Sequence, residues 1–132
     1  MKSAVLLWFT LTAAALSAAP TEADKATTAL REGMPQAAIA PLEEALRKAP
    51  AGEKNALGLL LARVQLAAGR PGDALKTLDG PCDRDSREAV FLRAAAFAAQ
   101  GSLDMAAKLA APQAAENPEA ALLLARIRAE QG

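Results

Sequence analysis

Residues 33–50 read GMPQAAIAPLEEALRKAP, and the grammar of this stretch decides the fold. It opens on a glycine, runs through a helix-forming segment rich in Ala and Leu, and closes on a proline. Gly just past a helix end accepts the left-handed cap conformation, and Pro cannot continue a helix. The same punctuation recurs outward in both directions. Gly33, Gly69, Gly101 and Gly132 each follow an apolar helical stretch (TTALREG, VQLAAG, FAAQG and IRAEQG), at spacings of 36, 32 and 31 residues. Seven residues before these glycines stand Ala26, Ala62, Ala94 and Ala125; five after the first three stand Ala38, Ala74 and Ala106. Pro50 and Pro118 are 68 residues apart, twice a period of 34. Periods of this size signal stacked supersecondary units.

Composition agrees. Of 132 residues, 36 are Ala and 20 are Leu, hydrophobics reach 52%, and aromatics only 3%. That favours helices packed through small residues over a sheet, which wants β-branched and aromatic side chains. Small residues let two antiparallel helices approach closely, and Leu42, Leu61 and Leu78 are expected to fill the space beside the contact. The spacing predicts helices over 22–32, 35–48, 53–68, 71–79, 86–100, 103–116 and 118–131. Pro35, Pro71 and Pro118 suit first helical positions; Ser102 and Asn117 suit N-caps; Asp85 with Glu88 suggests a capping box. A plain helical bundle is the alternative architecture.

The pattern resembles the tetratricopeptide repeat: helix pairs with small residues at the crossing, a Gly in the turn and a closing Pro. GMPQAAIAPLEEALRKAP carries the resemblance best, followed by GRPGDALKTL (69–78) and GSLDMAAKLA (101–110) with Pro118. It implies an all-α, right-handed stack of antiparallel helix pairs, a TPR-like α-solenoid of about three and a half repeats, over 20–132. The chain departs from the family where large aromatics are usual: Gln65 and Arg128 take the places matching Phe97. The second unit breaks off early at Asp79-Gly80-Pro81, and Glu22 and Lys25 stand at expected core places of the first.

Residues 1–19 read as a secretory signal peptide. Met1-Lys2-Ser3 is a short positive start, and Ala4–Ala19 is an uncharged run of 16 residues, short of the roughly 20 that span a bilayer. Cleavage is expected after Ser17 or Ala18, because Pro20 follows Ala19 closely. An uncleaved membrane anchor is the alternative. Loss of Lys2 leaves 14 cations against 15 anions, and loss of Trp8 and Phe9 leaves Phe91 and Phe97 as the aromatics. The expected location is the periplasm or cell envelope, with no membrane insertion after cleavage. Balanced charge without basic runs argues against nucleic acid.

The reactive side chains in the sequence predict no enzyme, no cofactor and no metal. There is no His to activate Ser86 or Ser102, both of which suit helix caps. Glu43 with Arg47 and Glu44 with Lys48 have the spacing of solvated ion pairs. Gly69-Arg70-Pro71-Gly72 is a turn, not a phosphate cradle, since Pro lacks a donor. Four acids lie within 79–88, but their spacing matches no calcium loop. Cys82, the lone cysteine, follows Pro81 in this segment and is expected to be exposed, as an incidental thiol or half of an intermolecular disulfide.

The resemblance further implies that the first helix of each unit lines a concave face. Ten residues before the last three glycines stand Leu59, Phe91 and Leu122; six before stand Arg63, Ala95 and Arg126; thirteen before stand Ala56, Glu88 and Glu119. With Leu66, these suggest a groove with an apolar floor and cationic flanks, suited to an extended peptide or amphipathic helix bearing an acidic group. The set of Lys, Asn and Arg with which one branch of the family grips a C-terminal carboxylate is missing from the matching places. The expected role is a protein–protein scaffold or adaptor of the cell envelope. The rival is a self-associating module, a homodimer built on the C-terminal half repeat or on Cys82. Ala120, Leu123, Leu124 and Ile127 are expected to pack the last helix on the preceding pair.

Overall fold

The computed structural model describes residues 21–132; the predicted signal segment lies outside the described residues. Seven α-helices follow in order: α1 (Glu22–Arg31), α2 (Gln36–Lys48), α3 (Ala51–Ala67), α4 (Pro71–Asp79), α5 (Arg87–Ala99), α6 (Leu103–Ala110) and α7 (Pro118–Gln131). A 3-10 turn, Ala111–Gln113, separates the last two. No strand occurs among the described residues.

Three turns are built alike. Gly33, Gly69 and Gly101 adopt φ of 75°, 78° and 84°. Beside them the amides of Met34, Arg70 and Ser102 donate back to the carbonyls of Ala29, Gln65 and Phe97 at 2.8–2.9 Å. The glycine amides bond to Leu30, Leu66 and Ala98. This double bond is the Schellman closure, which satisfies two carbonyls left orphaned at a helix end. It reverses the chain and lays the second helix of each pair against the first.

Six of the seven periodic alanines are buried: Ala26, Ala38, Ala62, Ala74, Ala94 and Ala106. Ala125 is exposed, because no described helix follows α7 to face it. Leu42, Leu61 and Leu78 are buried as expected. Each helix packs on its chain neighbour, and the first helices α1, α3, α5 and α7 also touch one another in succession. The second helices α2, α4 and α6 make no comparable contacts with one another. Tighter spacing on one side makes the first helices the inner layer of a curved stack. The fold is a TPR-like α-solenoid.

The core is serial. Ala26, Ile39, Leu42, Leu61 and Val64 form one cluster among α1, α2 and α3. Leu59, Ala62, Ala74, Leu78, Cys82, Ala89 and Leu92 form the next, and Ala94, Ala110 and Leu124 the third. Burial at about 25 cal/mol per Å² of apolar surface holds short helices that would not persist alone.

Several boundaries differ from expectation for local reasons. The helix expected over 103–116 stops at Ala110, since Pro112 cannot donate to a preceding carbonyl. Pro35 and Pro50 occupy the N-cap positions of α2 and α3. Ser86, not Asp85, caps α5 and accepts from Ala89. Ser102 makes no side-chain cap bond; its φ of −82° and ψ of 67° lie outside the extended region usual for a capping residue. A capping box not anticipated from the sequence joins Thr21 and Asp24 at the start of α1. Asn117 caps α7 through Glu119 N–H, as expected. On α2, Glu44 pairs with both Arg47 and Lys48, replacing the expected Glu43–Arg47 pair.

Candidate functional site: the inner layer from α3 to α7

The inner layer changes character along the stack because one position changes size. On α3 that position is Arg63, whose Nε and Nη2 reach Oε1 of Glu88 on α5 at 3.0 and 2.9 Å. One turn earlier, Leu59 is only 8% exposed and belongs to the core with Ala89 and Leu92 of α5. Leu66, one turn later, is half-buried against the same cluster. Leu59 therefore is not a groove floor; α4 and the neighbouring first helix cover it together. Phe91 is half-buried and packs on that cluster too.

Between α5 and α7 the equivalent of Arg63 is Ala95, and no side chain spans the gap. A cleft of about 170 Å³ opens there, lined by Ala95, Ala98, Ala99, Leu123, Ile127, Arg126 and Glu130. Its floor is apolar and its rim carries one cation and one anion on successive turns of α7. Arg126 is exposed and makes no ion pair among the described residues. Leu122, one turn before it, is 69% exposed. Ala120, Leu124 and Ile127 are buried and Leu123 half-buried, so α7 docks through its expected face. The structure thus joins Ala95 and Arg126, covers Leu59, pairs Arg63 with Glu88, and leaves Leu122 open.

The segment 80–86 packs against two residues that sequence reasoning passed over, Asn55 and Gly58. Cys82 is 7% exposed, against the expectation of an exposed thiol. The loop seats on α3 where Gly58 lacks a side chain: a Cβ there would meet Sγ of Cys82 at 2.7 Å and Cγ of Pro81 at 3.0 Å. Asn55, one turn earlier, accepts from Asp83 N–H at 2.7 Å. Arg93 donates to the Leu78 carbonyl at 3.0 Å and pairs with Asp79 at 2.8 Å, closing the end of the short α4. Burial pushes the Cys82 thiol above its ordinary value of 9.0; Arg93 opposes this and Glu88 adds to it. A glycine inside a helical pattern signals close backbone approach, and Gly58 was the available clue. No group of three or more metal-ligating side chains occurs among the described residues. No described helix is long and apolar enough to cross a membrane.

Helix hairpins stacked through small residues, with their first helices inward, define a helical-repeat protein. Residues 29–81, from the end of α1 through α4, match the model of the family described as Tetratricopeptide repeat. The match covers 53 of the 132 residues and likens this stretch to tetratricopeptide repeats, which suggests a protein–protein interaction module. Comparison with curated proteins and with solved structures gave no match.

Proposed function

We propose that the chain is a non-catalytic adaptor of the cell envelope that holds an extended peptide or amphipathic helix on its inner layer. The carrying observation is the cleft between α5 and α7. Apolar walls at Ala95, Leu123 and Ile127 favour burial of an apolar side chain. Arg126 at the rim favours a carboxylate beside it. Export follows from the reading of residues 1–19 as a signal peptide. Placing a photo-crosslinker at Ala98 and recovering adducts from a cell-envelope extract tests the reading. One discrete partner, lost when Ala95→Arg fills the cleft while circular dichroism is unchanged, supports it. Adducts that Ala95→Arg leaves intact count against it. Mass spectrometry of the mature N-terminus tests export.

Self-association is the second reading, and the exposure of Leu122 favours it. Its disulfide form loses its basis with Cys82 buried; its remaining form rests on α7.

A further inference from the structure

The α3–α5 junction contains a docking solution whose donor half is repeated, unused, on α7. Counting back from the turn glycines, Leu59, Arg63 and Leu66 on α3 correspond to Leu122, Arg126 and Ala129 on α7. On α3 this edge meets α5, with α4 beside it: Leu59 is buried with Ala89 and Leu92 of α5 and with Ala74 and Leu78 of α4, and Arg63 bonds to Glu88. The receiving face reads Glu88-Ala89-x-x-Leu92, one turn of helix with a small residue beside the carboxylate. On α7 the leucine and the arginine keep the same four-residue spacing, Leu122 is 69% exposed, and no described element covers it.

We propose that the Leu122–Arg126 edge of α7 docks a partner helix carrying Glu-Ala-x-x-Leu along one face, in the register that α5 adopts on α3. The leucine enters beside the partner's alanine, which must be small for the axes to approach, and the guanidinium reaches the partner's glutamate. A folded second copy offers no such face. Its Glu88-Ala89-x-x-Leu92 is engaged by its own α3. Its Glu119-Ala120-x-x-Leu123 has Ala120 fully buried. Counted back from Gly33, the corresponding sequence positions are Pro20, Thr21 and Asp24, with no leucine to receive Leu122. This surface is the outer edge of the described helices; the cleft of the proposed function lies on the other side of α7, toward α5, and Arg126 borders both.

The probe is a fluorescein-labelled peptide copying residues 85–100, held helical by a staple on the side away from Glu88 and Leu92, titrated into the full chain by fluorescence polarisation. Saturable binding is expected, weakened roughly tenfold or more by Leu122→Asp and by Arg126→Glu. A peptide with Glu88→Arg should bind the Arg126→Glu protein better than it binds the unaltered one. Ala95→Arg, which fills the cleft, should leave peptide binding unchanged, so the two surfaces are told apart. Absence of saturable binding overturns the proposal, as does a failed charge swap, or binding lost with Ala95→Arg yet kept with Leu122→Asp. A concentration-dependent dimer of the full chain abolished by Leu122→Asp assigns the edge to a second copy and equally overturns it. Circular dichroism of each variant guards against unfolding, and the charge swap keeps the test decisive if Leu122→Asp is poorly folded.

Discussion

Sγ of Cys82 sits 2.7 Å from the point where a side chain on Gly58 would begin. The helix interior has given up about 1 kcal/mol of propensity relative to Ala so that a loop from the next unit can rest on it. Gly58→Ala is therefore expected to destabilise despite the better helix former. The loss should be about 1–3 kcal/mol, the usual range for overpacking. Urea midpoints measure it, and faster labelling of Cys82 by a thiol reagent should accompany it. A stabilised variant with an unreactive thiol contradicts the packing described.

Cys82 also sets an alkaline limit. Burial raises its folded pKa above 9.0, so the unfolded chain releases this proton first as pH climbs. The associated stability is whole below the unfolded value and is lost progressively as pH rises through the folded one. Thermal midpoints of the unaltered protein and Cys82→Ala should have a constant offset below pH 8 or so and then converge above about pH 9. At neutral pH, iodoacetamide should modify Cys82 far more slowly than a free thiol peptide.

The turn glycines and Gly52 form an internal control. Gly69 has φ of 78° and open space around its missing Cβ, so Gly69→Ala meets a backbone penalty alone, of about 1–2 kcal/mol. Gly69→Asn should recover part of it, because Asn tolerates the left-handed region. Gly52, in the first turn of α3, also faces open space but without positive φ. Gly52→Ala should stabilise by about 0.4–1 kcal/mol. Thermal melts of the three variants check the opposite signs.

Thr77 Oγ1 donates to Oε1 of Gln65, a buried polar side chain on α3, at 2.8 Å. Thr77→Val strands that amide and should cost about 1–3 kcal/mol, whereas Gln65→Leu with Thr77→Val should lose less than the sum of the single changes. Additive losses in a double-mutant cycle would show that the pair is not coupled.

The helix pairs were legible because their signals are local. A left-handed cap position selects Gly through its own sterics, and an Ala at a crossing is selected by one neighbour at a fixed offset. Gly33, Gly69 and Gly101, and six of seven alanines, follow from that alone. The candidate site was legible only as a list of offsets. Leu59, Phe91 and Leu122 are equivalent by spacing, yet their exposure differs because it depends on which helix comes next. Arg63 and Ala95 share an offset, and only the difference in side-chain reach explains a bridge at one junction and a cleft at the other. The loop at 80–86 was not legible because its burial depends on a gap at Gly58 and on a bond from the Asp83 amide to Asn55, both more than twenty residues away.

The serial cores mean that α3 and α5 each hold two seams at once. Leu61 and Val64 of α3 belong to one seam and Leu59 and Ala62 to the next; on α5, Ala89 and Leu92 belong to one and Ala94 to the other. Such a chain opens like a zip, one tooth at a time from either end. Amide exchange should be fastest in α1 and α7 and slowest in α3 and α5. A bound helix that covered the edge of α7 would move that gradient inward and lengthen the lifetime of the whole array without touching its centre.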